Sequence, residues 1–164
     1  MQEIERKFLI DAFPDLPLLE EAEVFQGYLS VEPVVRIRKK SAKGCNGYVL
    51  CFKGKGRLCR KEIELGLSEE TFNELAELLG MPMVRKEYRV YALEDGRRLE
   101  CSWVDRGEPT AFLYAEVEFP TVEEALAFQP PAFLSHEVTE DSSYSMSCYW
   151  QRKKEMFSAK EHET

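Results

Sequence analysis

Glu3, Glu5 and Lys7 alternate with Ile4, Arg6 and Phe8 at the start of the chain. In an extended strand alternate side chains share a face. Two carboxylates and one ammonium therefore point one way, and Ile4, Arg6 and Phe8 the other. That trio forms half of a site for a metal-bound anion, because hard cations such as Mg²⁺ prefer oxygen ligands and share them between carboxylates and phosphate. One alternating charged strand is as a rule a solvated face, so the pattern gains weight only by repetition. Arg36 and Arg38 flank Ile37, with Lys40 next in step, and Lys53 ends the apolar run from Tyr48 to Phe52. Arg60, Glu62 and Glu64 alternate around Lys61 and Ile63, and Arg85, Glu87 and Arg89 do the same around Lys86 and Tyr88. Glu116 and Glu118 recur in Ala115-Glu116-Val117-Glu118-Phe119. Solvated faces need no such segregation of paired carboxylates from arginines and lysines. The expectation is one charged interior lined by several strands.

The elements that must position these residues read as strands near 2–10, 23–31, 33–40, 47–53, 58–65, 85–93, 97–105 and 111–119. Gly44, Gly47, Gly54-Lys55-Gly56 and Asp95-Gly96 mark turns, and Asp95-Gly96 between two alternating runs is the clearest hairpin. A helix over 69–79 has Ser68 as N-cap, Glu69 and Glu70 in its first turn, and Gly80 with Pro82 at its end. Phe72, Leu75, Ala76 and Leu79 form its core stripe. A second helix over 122–128 carries the capping box Thr121 with Glu124, and a third is predicted over 141–157, starting from Asp141. The chain is read as one domain, 1–157, followed by a polar tail, 158–164. Mostly antiparallel strands with few helices make an α+β chain, mainly β, and predict a closed or nearly closed barrel. Clustered arginines and lysines inside it would repel one another and resist desolvation without counter-charges. Carboxylates, metal ions and a narrow polyanion such as a phosphate chain supply them.

Composition sets bounds. The 164 residues suffice for a sizeable core, and 44% apolar with 12% aromatic content argues against disorder. A net charge of −8 disfavours nucleic acid or an anionic membrane as the main partner. Cys45, Cys51, Cys59, Cys101 and Cys148 are odd in number and lack a C-x-x-C spacing, which reads as reduced thiols in a cytoplasmic protein. His136 and His162 cannot build a histidine-rich metal site. A homodimer is compatible with the sequence but not specified by it.

Taken in order, the charged segments resemble the CYTH superfamily, the triphosphate tunnel metalloenzymes. Glu3-Ile4-Glu5-Arg6-Lys7-Phe8 resembles its E-x-E-x-K signature, Gln26-Gly27-Tyr28-Leu29 its second strand and Val35-Arg36-Ile37-Arg38 its paired-arginine strand. Phe52-Lys53-Gly54, Arg60-Lys61-Glu62-Ile63-Glu64 and Ala115-Glu116-Val117-Glu118-Phe119 resemble the tunnel-lysine, R-x-E-x-E and late E-x-E strands. Glu137-Val138-Thr139-Glu140-Asp141 with Tyr144-Ser145 resembles the C-terminal V-T-x-D…Y-S segment, so the likeness spans about residues 1–150. It implies an eight-stranded antiparallel tunnel that binds a triphosphate group with Mg²⁺ or Mn²⁺. By the same resemblance Glu3, Glu5, Glu116 and Glu118 are metal ligands, and Glu62 and Glu64 hold a second metal or position water. Lys7, Arg36, Arg38, Lys53, Arg60 and Arg85 grip phosphate, with Glu62, Glu64 and Lys7 carrying the catalysis.

Two departures stand out. Arg85-Lys86-Glu87-Tyr88 replaces the K-x-R-Y of many relatives, so Glu87 reverses a charge unless Arg89 fills the role after a shift of two. Glu100-Cys101-Ser102 lacks the usual E-x-D, with Ser102 in place of the acid unless Asp105 substitutes through a bulge. The leading expectation is hydrolysis of a triphosphate-containing small molecule, inorganic triphosphate first. The alternatives are a class IV adenylate cyclase, or a module that binds polyphosphate or a nucleotide without turnover. Trp103, Trp150, Phe112 and Phe133 are read as core or rim packing, Cys51 and Cys59 as small hydrophobes. The Lys53–Arg57 loop is read as a hairpin turn with basic flanks, and Arg152-Lys153-Lys154 as a solvated helix face.

Overall fold

The computed structural model describes residues 1–163. Eight antiparallel strands form the barrel: β1 (Gln2–Leu9), β2 (Leu18–Val31), β3 (Val34–Ala42), β4 (Cys45–Lys53), β5 (Cys59–Gly66), β6 (Val84–Ala92), β7 (Arg98–Val104) and β8 (Phe112–Glu118). Their order is β5-β4-β3-β2-β6-β7-β8-β1, and β5 closes back onto β1 through the pairs Gln2↔Lys61, Glu3↔Arg60 and Ile4↔Cys59. Closure removes the free sheet edges that would otherwise invite association. A two-residue strand, β9 (His136–Glu137), pairs with the end of β1 on the edge opposite β8, beyond the stretch paired with β5.

The polar contents of the barrel push the apolar core outward, between sheet and helices. Helix α1 (Glu69–Glu77) starts where Ser68 Oγ accepts from the Thr71 amide at 3.1 Å, and it buries Phe72. Just past its end, Leu79 lies so close to β2 that a Cβ at Gly27 would sit 2.4 Å from Leu79 Cδ1, so a side chain there would force Leu79 to shift. Helix α2 (Val122–Ala127) caps its start with Thr121, as expected, and covers β1 with Ala125 buried. Helix α3 (Met146–His162) packs on β2 through Trp150, whose ring lies 6.0 Å from that of Tyr28. Trp150 is 2% exposed, so truncating it to alanine costs about 3–5 kcal/mol.

The C-terminal segment departs from expectation. Asp141 caps a 3-10 turn over Ser142–Tyr144, Ser145 then caps α3, and the helix runs to His162, beyond the boundary at Ser158. Asp141 and Ser145 each hydrogen-bond backbone N–H groups just after them, which splits one predicted helix into two. β2 also begins at Leu18, earlier than expected, because pairing of its backbone with Val90 and Tyr91 extends the strand through an acidic, exposed stretch.

Candidate active site

One cavity runs inside the barrel. Glu3, Glu5 and Lys7 of β1 line it, as do Arg36 and Arg38 of β3, Lys53 of β4, Arg60, Glu62 and Glu64 of β5, and Glu116 and Glu118 of β8. The period-two alternation of each strand does this, and register aligns the faces: Glu5 opposes Glu118, Lys7 opposes Glu116 and Lys53 opposes Glu62. The cavity volume is about 270 Å³, below the roughly 300–1,000 Å³ of drug-sized pockets, which suits a small polyanion.

Cations and carboxylates already compensate one another. Lys53 Nζ lies 2.9 Å from Glu3 and 3.3 Å from Glu62, and Arg60 Nε lies 3.3 Å from Glu3. Burial works against the Glu3 carboxylate, yet hydrogen bonding with Glu62 and the charge of Lys53 hold it well below the usual range. Its neighbour Glu62 is pushed up to about 7 by burial and by Glu3. Burial and Glu116 raise Glu5 well above the ordinary carboxylate range, and burial with Glu100 raises Glu118 to about 7. Carboxyl oxygens of Glu3, Glu5 and Glu118 lie within 4.8 Å of one another, and Cys51, Glu62 and Glu64 form a second such group. A crowded, partly protonated set of carboxylates is the donor chemistry a hard divalent cation satisfies.

No protein-family profile matches the chain. Over 144 residues, 88% of this chain and 93% of the relative, it is 35% identical to the inorganic triphosphatase of Nitrosomonas europaea. The chain belongs to the CYTH superfamily of triphosphate tunnel enzymes. Its fold matches the crystal structure of the inorganic triphosphatase NE1496 with a TM-score of 0.62 at 29% identity, covering 90% of this chain and 93% of that one. HpAC1 from Hippeastrum, reported to have a dominant triphosphatase activity, matches with a TM-score of 0.53 at 16% identity over 76% of this chain and 83% of that one, a likeness of fold alone.

β6 corrects the sequence reading of this CYTH tunnel. Arg85 lies outside it, half exposed, and pairs with Glu23 at 2.7 Å. Glu87 also faces outward, toward Arg106 at 3.2 Å, and Arg89 toward Glu21 at 3.4 Å. The inward face is Lys86 and Tyr88, in phase with the buried Val84 and Val90. Neither the charge reversal at Glu87 nor the rescue by Arg89 therefore touches the tunnel. Ser102 does line it, beside Glu100. Asp105 does not replace the missing acid: its Oδ2 accepts from Tyr149 Oη at 2.6 Å and Lys153 Nζ at 2.7 Å. Lys153 is thus an ion-pair partner, while Arg152 reaches the Ser143 carbonyl at 2.9 Å, so that helix face is not simply solvated.

Other lining residues escaped the sequence reading. Gln26, Tyr28, Lys86, Tyr88, Glu100 and Tyr114 all face the cavity, and Ser145 and Ser147 approach it from α3. Lys86 was legible from its phase with Val84 and Val90, whereas nothing in a lone tyrosine or serine marks a tunnel wall. Gly56 and Arg57 reach the cavity too, so the loop after Lys53 is part of its rim rather than a plain turn. Gly56 has φ +134°, and a Cβ there would sit 2.2 Å from the Cys59 carbonyl oxygen, so that rim geometry requires glycine.

Proposed function

We propose that this chain hydrolyses inorganic triphosphate to phosphate and diphosphate with Mg²⁺ or Mn²⁺. One observation carries the reading: seven strands deliver a cationic set and a carboxylate set into a single small cavity of a barrel shared with inorganic triphosphatases. Phosphoryl transfer asks a protein mainly for in-line positioning and charge neutralisation. Arg36, Arg38, Lys53 and Arg60 bind the non-bridging oxygens. Burial lowers the Lys7 pKa while Glu116 and Glu5 favour its ammonium, which neutralises charge on the departing diphosphate. Glu62 and Glu64 orient the attacking water, and Glu62, poised near 7, accepts its proton as the oxygen bonds to the terminal phosphorus and the P–O bond to diphosphate breaks. Glu3, Glu5, Glu116 and Glu118 would hold the cation, which when bound supplies charge neutralisation at the phosphate oxygens.

We place the reaction in the cytoplasm, since all five cysteines are free thiols. No helix among the described residues is long and apolar enough to cross a membrane. The test is phosphate release from inorganic triphosphate with Mg²⁺, Mn²⁺ or EDTA, run beside ATP with detection of cyclic AMP. Metal-dependent release abolished by EDTA supports the reading. Turnover unchanged in EDTA contradicts the metal requirement. Cyclic AMP as main product would favour a cyclase, and tight binding without any product would favour a binding module.

A further inference from the structure

Tyr114 is 2% exposed and stands between two lysines of the tunnel wall. Its hydroxyl accepts a hydrogen bond from Lys86 Nζ. Lys7 Nζ lies 4.0 Å from the centroid of the same ring, and Lys86 Nζ 5.1 Å from it. Lys7 also donates to the Tyr144 carbonyl at 2.7 Å, so its ammonium is pinned between a ring face and a backbone oxygen. Burial disfavours the charge of both amines, and when both are charged they repel, which a flexible lysine stem does little to resist.

The chemistry of the mount matters. Lys53 is held by carboxylates, which neutralise it. Lys86 and Lys7 instead rest on a neutral hydroxyl and a π face, with the Glu116 carboxylate nearby, and a bound anion favours their charged forms. Ser102, paired across strands with Tyr114, hydrogen-bonds the same hydroxyl; an aspartate there would offer Lys86 a competing carboxylate.

We infer that Tyr114 is a positioning residue that fixes the separation of Lys7 and Lys86, so that both meet oxygens of one triphosphate chain. The inference rests on the triphosphate reading of the tunnel and assigns its wall a device that the charged motifs do not contain. Tyr114→Phe keeps the ring under Lys7 and removes the acceptor for Lys86. Tyr114→Leu removes both mounts.

The experiment measures steady-state hydrolysis of inorganic triphosphate and its calorimetric affinity for wild type, Tyr114→Phe, Lys86→Met and the double variant, with Tyr114→Leu alongside. Tyr114→Phe is expected to raise KM and Kd about fivefold to tenfold with kcat within about threefold. The double variant should match Lys86→Met within about twofold, because Tyr114 acts there through Lys86. Tyr114→Leu should also lower kcat, through Lys7. A purely structural role would lower the melting temperature of Tyr114→Phe without this coupling. Unchanged affinity in Tyr114→Phe, or an undiminished Tyr114→Phe effect in the Lys86→Met background, overturns the inference. Wild-type protein that binds triphosphate but releases no phosphate overturns hydrolysis alone, and the affinities then decide the mount. Wild-type protein that does not bind triphosphate overturns both.

Discussion

Across the seam where β1 meets β5, the Lys53 ammonium sits 2.9 and 3.1 Å from the two carboxylate oxygens of Glu3. Both side chains are about nine-tenths buried. Among the described residues, losing Lys53 leaves Glu3 its ion pair with Arg60 and leaves Glu62 with none, and breaking a buried pair by removing one partner costs about 3–5 kcal/mol. Lys53→Met should therefore lower the ligand-free melting temperature at neutral pH, and the loss should shrink on acidification as the carboxyls protonate. A melt unchanged from wild type across that range would contradict the pairing.

Arg38→Ala should behave in the opposite sense. Among the described residues Arg38 forms no ion pair, and it lines a cavity shared with other cations, so its removal relieves repulsion. The ligand-free melt should hold or rise, while stabilisation by added triphosphate should fall as affinity falls. An unchanged triphosphate-induced shift would contradict phosphate contact by Arg38.

Glu5→Gln isolates the metal. Burial and Glu116 already favour the protonated carboxyl of Glu5 in the metal-free protein, which glutamine mimics, so folding should be unaffected. Metal-dependent turnover should fall by about tenfold or more, a transition-state cost of about 1.4 kcal/mol. Wild-type turnover in this variant would remove Glu5 from the site.

The raised carboxyls also predict a proton count. Glu5 lies well above the ordinary range, and Glu62 and Glu118 near 7. Metal ligation needs them ionised, so Mg²⁺ binding at about pH 6.5 should release protons, and less so at about pH 8.5. Binding heats measured in buffers of different ionisation enthalpy report this, and buffer-independent heats at the lower pH would refute it. The same groups bind more protons folded than unfolded between their ordinary value and about 7. The metal-free protein should thus lose stability as pH rises through that window.

Outside the barrel the sign reverses. Arg6 grips Glu137 with two hydrogen bonds of 2.8 and 2.7 Å and donates to the Ala125 and Phe128 carbonyls, both at 2.9 Å. The Arg6 bond holds the Glu137 carboxyl below its ordinary value. That stability is present above the unfolded value and lost as pH falls through the folded one. Glu137 is partly exposed, so Glu137→Gln should cost only about 1 kcal/mol at neutral pH. Acid denaturation should show the two proteins converging at low pH; a constant gap would contradict the assignment.

Most of the tunnel was legible because strand period and charge segregation coincide in β1, β3, β5 and β8. They diverge in β6, where Arg85, Glu87 and Arg89 are the solvated face and Lys86 the inward one. There charge alone picked the wrong phase, and the apolar companions Val84 and Val90 were the better guide. Arg85→Ala should accordingly leave triphosphate KM within about twofold. Tyr114 and Ser147 escaped notice because their roles depend on neighbours far apart in sequence, whereas Ser145 lies in the Tyr144-Ser145 segment singled out by resemblance. The length of α3 was also hidden, since its polar last turns carry no apolar period to read.

The central claim is that this charged tunnel turns over triphosphate. Following ³¹P resonances of inorganic triphosphate mixed with the wild-type protein and Mg²⁺ tests it most directly. The expected result is loss of triphosphate with equimolar appearance of phosphate and diphosphate, stopped by EDTA and slowed in Glu5→Gln. Triphosphate that stays intact for hours with Mg²⁺ or Mn²⁺ would contradict the account.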